Sequence, residues 1–154
     1  MMTRKMQIVP KYADASVLPG MLMHLSEMKG FMIADPAPDI RGWEARLRDG
    51  RRVGTVDDLI VDTTELSPKY VEVKVDHEAM SASEDTWVLV PVSATHIRDN
   101  DDCVVIDWLP VAGIAGAPRS SRTAPTREEE HAIHEYFAPR KRSGDDEPFD
   151  NVFL

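Results

Sequence analysis

Cysteine is nearly absent from this 154-residue chain, with Cys103 its single example. That excludes an internal disulfide framework and a cysteine-rich zinc site. Long apolar runs are missing as well. Uncharged stretches such as residues 17–26 and 108–118 are short and broken by proline or glycine. Neither approaches the roughly 20 apolar residues that cross a bilayer, so any membrane association is expected to come through a partner. The opening segment MMTRKMQIVPKYAD carries bases with no apolar block behind them and does not read as a signal peptide. Positive charge is in deficit, 18 bases against 27 acids for a net charge of −9. That balance argues against a general nucleic-acid binder, which draws its affinity from Lys and Arg on phosphates. Neither a G-x-x-x-x-G-K-[ST] phosphate loop nor a G-x-G-x-x-G fingerprint occurs.

What is present fits one domain with a real core, given 42% hydrophobic residues. Residues 1–39 mix Pro10, Pro19, Pro36 and Pro38 with seven of the eight methionines. Prolines at this density block long helices and central strands. The segment reads as an extended arm, with room for a short helix over residues 21–28. Its Met21, Met23, Met28 and Met32, with Phe31, are candidate contacts to a partner, because Met packs into irregular gaps. On this reading the arm is ordered by lying against other polypeptides.

Residues 40–109 read as short strands. GWEARLR alternates, Asp49-Gly50 signals a hairpin, and RRVGTVDDLIVDT is the return strand, with Gly54 a bulge or close-approach point. YVEVKVD places Val71, Val73 and Val75 on one face and Glu72, Lys74 and Asp76 on the other. Residues 77–85 read as a loop, TWVLVPV as a strand, RDNDD as a turn and CVVIDW as the last strand. Short strands joined by tight turns favour a small closed barrel or sandwich. Residues 110–125 form a Gly/Ala/Pro/Ser linker. Thr126 and Glu129 make a capping box for a helix over residues 126–138, with Ala132, Ile133, Tyr136 and Phe137 as its apolar stripe and Pro139 as its stop. Residues 139–154 are a polar tail.

Candidate chemistry is sparse. Between Asp57 and Asp107, thirteen acids face only Lys69, Lys74 and Arg98. Most such acids form a solvated surface; clustered carboxylates also couple their titrations and can pass protons. His131 and His134 lie at i, i+3 with Glu130 and Glu135 beside them, but H-x-x-H-E is no known zincin order, and a solvated helix face is favoured. Met21, Met23, His24 and Met28 suit Cu(I) by softness, though adaptable packing is the simpler role. Cys103 sits in an apolar strand as an inert thiol, Ser120 and Ser121 lack a nucleophile elbow, and Trp43, Trp87 and Trp108 read as core or rim. No catalytic site, and hence no enzyme, is expected.

The segments DIRGWEARLRDGRRVGTVDDLIVD, KYVEVKVD and WVLVPVSATHIRDNDDCVVID together resemble the PRC-barrel family. That family includes the cytoplasmic domain of the photosynthetic reaction-centre H subunit and the C-terminal domain of the ribosome-maturation factor RimM. QIVPK, GFMIA, VAGIAGAP and TREEEHAIHEYFA resemble the H subunit's flanks, so the likeness spans roughly residues 7–138. It implies a mainly β fold: a small PRC-type β-barrel with an extended N-terminal arm and one C-terminal helix. It also implies a non-catalytic subunit that caps L- and M-like membrane subunits on the cytoplasmic face of a photosynthetic membrane and assists proton delivery to the secondary quinone. Bacteriochlorophyll and quinone would reside in those partners, and this chain would bind no cofactor. H subunits usually begin with a transmembrane helix; without one here, a separate anchor polypeptide is expected. DLIVDTTE places Asp62 and Glu65 at the family's proton-delivery positions. The family's proton-entry histidines are unmatched; Thr3 and Lys5 stand near there. Arg4, Lys5 and Lys11 are expected to face headgroups or partner loops. The alternative is a free PRC-barrel adaptor in a stress or RNA-processing context.

Overall fold

The computed structural model describes residues 6–138. Arg4, Lys5, the helix stop at Pro139 and the expected polar tail lie outside the described residues. Mainly β structure results, as the alternation predicts. Strands β4 (Glu44–Leu47) and β5 (Arg52–Asp62) form the expected antiparallel hairpin, with Gly50 in the turn at φ 95°. Strand β5 continues antiparallel to β6 (Ser67–Val75), and β6 to β7 (Thr86–Pro91). A second hairpin, β8 (Thr95–Arg98) and β9 (Cys103–Ile106), turns through Asp99–Asp101, and β9 returns parallel to β4. The hydrogen-bonded order is therefore β7-β6-β5-β4-β9-β8. Its two end strands are consecutive in the chain, linked by the short 3₁₀ turn Val92–Ala94, so the sheet curls back toward its own edge.

Gly54 marks a close approach. A Cβ built there would lie 2.4 Å from the Lys74 carbonyl oxygen, so a side chain has nowhere to go.

The arm does not extend away from the barrel; it folds onto it. Strands β1 (Ile8–Pro10) and β3 (Phe31–Ile33) pair with each other, and β2 (Leu22–His24) adds to β5. The Ile8 N–H donates to the Leu66 carbonyl at 2.9 Å. Met6, Ile8, Leu25, Met28, Phe31, Ile33 and Ala37 are all buried in the common core. Proline density forbids long elements but permits three-residue strands, and the apolar residues between the prolines carry the arm inward. Residues 21–28 form β2 and the 3₁₀ turn Leu25–Glu27 rather than a helix.

The two-face reading of β6 holds for Val71, Val73 and Val75, which are buried, and for Lys74 and Asp76, which reach solvent, but it fails at Glu72. Tyr70 and Glu72 are buried as well, because the arm and the segment after β9 cover that part of the face. Residues 77–85 are not all loop, since α1 (His77–Met80) turns there and buries Met80. The linker is packed too: Ile114 and Ala117 are buried, and the Ser120 N–H donates to the Trp87 carbonyl at 2.7 Å. Helix α2 (Arg127–Phe137) packs on β7 and begins with the expected capping box, Thr126 and Glu129 each satisfying the other's backbone N–H. Ile133 and Phe137 are its buried residues and Tyr136 is half-buried, whereas Ala132 faces solvent.

Candidate functional site

Three strands bring one polar cluster into the core. The β5–β6 register sets Asp58 opposite Glu72, and a one-residue bulge at Asp57 decides which face Asp58 takes. On the other side of β5, His24 pairs with Ile60, which makes it a diagonal neighbour of Asp58. His24, Asp58 and Glu72 are buried at 5%, 6% and 0% exposure, and each offers one ligand atom within 4.8 Å of the others. His24 Nε2 lies 3.3 Å from Glu72 Oε2. The same Oε2 accepts from Ser120 Oγ at 3.2 Å and faces Arg122 Nε at 3.5 Å. Asp58 accepts from the Ser26 hydroxyl, the Ser26 N–H and the Leu59 N–H. Glu72 Oε1 has no hydrogen-bond partner. Arg122 is held over the Trp87 ring at 4.0 Å and on Asp57 at 3.2 Å, while the Trp87 indole N–H donates to Asp57 at 3.0 Å.

Sequence reasoning missed this cluster. Asp58 and Glu72 counted among the acids of a solvated surface, and His24 drew attention only as a soft-metal companion of methionines. Glu72 sits on the polar side of a strict alternation, so no local signal marks it as buried. The GTVDDLIVD bulge leaves no trace in composition.

The two singled-out carboxylates lie elsewhere, on the β5–β6 turn. Asp62 is half-buried and accepts from the Thr64 and Glu65 N–H groups at 2.8 and 3.2 Å. Glu65 is exposed. The arm grips this turn: the Gly20 N–H donates to Thr64 Oγ1, the Met21 N–H to Thr63 Oγ1, and the Thr63 N–H to the Met21 carbonyl. Gln7 reaches the Leu66 carbonyl at 3.1 Å. Of the five arm contacts expected to meet a partner, Met28 and Phe31 are buried at 3% and 7% and cannot. They belong to the common core. Met21 and Met32 stay exposed at 45% and 37%, and Met23 is half-buried.

The remaining candidates separate. His131 is exposed and faces Glu135 at 3.7 Å, whereas His134 turns to Tyr70, so the helix histidines do not converge. Tyr70 donates its hydroxyl proton to Glu130 at 2.7 Å, which leaves His134 Nε2–H as the donor to the Tyr70 oxygen at 2.9 Å. Burial, and then the Glu130 carboxylate, push the Tyr70 phenol well above its ordinary range, fixing it as a donor. A Met/His copper set does not form, because Met28 is buried, Met21 is exposed and His24 turns to Glu72. Cys103 is fully buried and its thiol is pushed up by desolvation, as an inert thiol should be. The three tryptophans are half-buried rim residues. Several surface acids are paired: Asp39 with Arg41, Glu44 with Arg46 and Arg52, Asp76 with Arg52, Asp85 with Lys74 and His77. Their hydrogen bonds hold Asp39, Glu44 and Asp85 below the usual carboxylate range. Among the described residues, no helix is long and apolar enough to cross a membrane.

The family profile of the PRC-barrel domain matches residues 32–109. No curated protein matches the chain.

Proposed function

The chain belongs to the PRC-barrel family, and we propose that it serves as a non-catalytic assembly subunit of the reaction-centre H type. It would cap L- and M-like membrane subunits from the cytoplasmic side. The observation that carries this reading is where the exposed apolar residues fall. Among the described residues, the large hydrophobic side chains left exposed are Tyr12, Leu18, Met21, Met32 and Val111. Four of them belong to the arm, and Met21 is hydrogen-bonded through its backbone to the turn that carries Asp62 and Glu65. Exposed Met21 and the turn that carries exposed Glu65 therefore adjoin. A surface of this kind can exclude water from a partner while leaving an acidic edge for protons. Pigment and quinone would remain in the membrane subunits.

A tagged chain recovered from native membranes is expected to bring down a pigmented complex, identified by the absorption spectrum of the eluate. In that complex, Glu65→Gln should slow proton uptake coupled to the second electron by about tenfold or more, measured with pH-indicator dyes after flash excitation. Unchanged kinetics would remove Glu65 from the route.

The folded-back arm favours a second reading, a free PRC-barrel adaptor, because the core closes without a partner. That reading predicts a colourless, monodisperse protein whose partner is recovered from the soluble fraction.

A further inference from the structure

We propose that His24, Asp58 and Glu72 form a binding site for one divalent transition-metal ion, which pins the arm to the barrel. The proposal stands apart from the partner reading above.

Two carboxylates directly opposite each other on neighbouring strands repel, and here both are buried. Hydroxyls and N–H groups at Ser26, Leu59 and Ser120 satisfy part of their hydrogen-bonding need but bring no charge. Arg122 shares its positive charge between Glu72 Oε2 and Asp57, and Arg41 acts on Asp58 only through space while it is hydrogen-bonded to Asp39. Glu72 Oε1 is left with nothing, although its residue is fully buried. An ionised carboxylate oxygen in that position is expensive to leave bare. A proton there would be a donor with no acceptor. A cation answers the repulsion, and one that draws on both Glu72 oxygens also answers the bare Oε1.

The donor set selects the class of cation. One imidazole nitrogen with two carboxylates suits Zn²⁺ and its first-row neighbours better than Ca²⁺, which takes six to eight oxygens. The spacing agrees. Bonds of about 2.0–2.2 Å around a tetrahedral ion set neighbouring ligand atoms about 3.4 Å apart, and His24 Nε2 already lies 3.3 Å from Glu72 Oε2. Arg122 has somewhere to go when the ion enters, because it keeps Trp87 and Asp57. The three ligands come from β2, β5 and β6, so the ion would join the arm to the two central strands.

The test uses the full chain, stripped with chelator and titrated with Zn²⁺ by calorimetry. One Zn²⁺ per chain is expected, with a rise in Tm, and Co²⁺ in its place should give a visible d–d band. His24→Gln and Glu72→Gln should each weaken Zn²⁺ at least about tenfold and abolish the band; His131→Gln with His134→Gln should change neither. Wild-type crystals soaked in Zn²⁺ should show an anomalous peak between the three side chains, a readout that survives if the core variants fail to fold. Absence of stoichiometric uptake, or a peak and a loss of binding at His131 instead, would overturn the site.

Discussion

At Gly54 the absence of a side chain is a structural requirement. A Cβ there would press at once on the Lys74 carbonyl and on Val73 Cγ1, the latter at 2.8 Å. Both obstacles belong to the central β5–β6 pair, where the backbone cannot retreat without breaking ladder hydrogen bonds. Gly54→Ala should therefore destabilise the fold by about 1–3 kcal/mol, read from the midpoint of urea unfolding; a change below a few tenths would show that β6 can shift. The sequence marks Gly54 because glycine inside a strand pattern is itself a signal. It does not mark Glu72, where the same strand pattern points the wrong way. Alternation tells which residues share a face, and says nothing about whether a later or earlier segment covers that face.

Elements with their own local grammar behave as read. Asp49-Gly50 makes the hairpin, and Thr126 with Glu129 makes the helix start, since each depends on hydrogen bonds that close within four residues. Thr126→Ala should cost about 1 kcal/mol, measured by thermal or urea unfolding, with Thr126→Ser restoring most of it. Because α2 is docked on β7 through Ile133 and Phe137, the loss should appear in the global transition rather than as local fraying alone. The arm elements lack such grammar. Strands of three residues carry no periodicity, so β1, β2 and β3 are legible only once their partners are known.

Across the whole molecule the arm is core, not appendage. Met28 and Met21 stand seven residues apart in the chain yet at 3% and 45% exposure. Met28→Ala should open a cavity and cost about 2–5 kcal/mol, whereas Met21→Ala should stay within about 0.5 kcal/mol. Equal, small effects in the same denaturant titration would mean that the arm detaches freely. The surface charge plays a lesser part in stability, since its exposed ion pairs are each worth about 0–1 kcal/mol.

Sequence alone determined the β-rich barrel segment, its hairpin, the capped helix and the inert thiol, because alternation, turn chemistry and capping act between near neighbours. Tertiary structure alone decided that the proline-rich arm is buried, that Asp58 and Glu72 meet His24 inside, and that His131 and His134 part. Those outcomes rest on strand register and on which segment covers which face. Both are set by contacts between residues tens of positions apart, where no local pattern reaches.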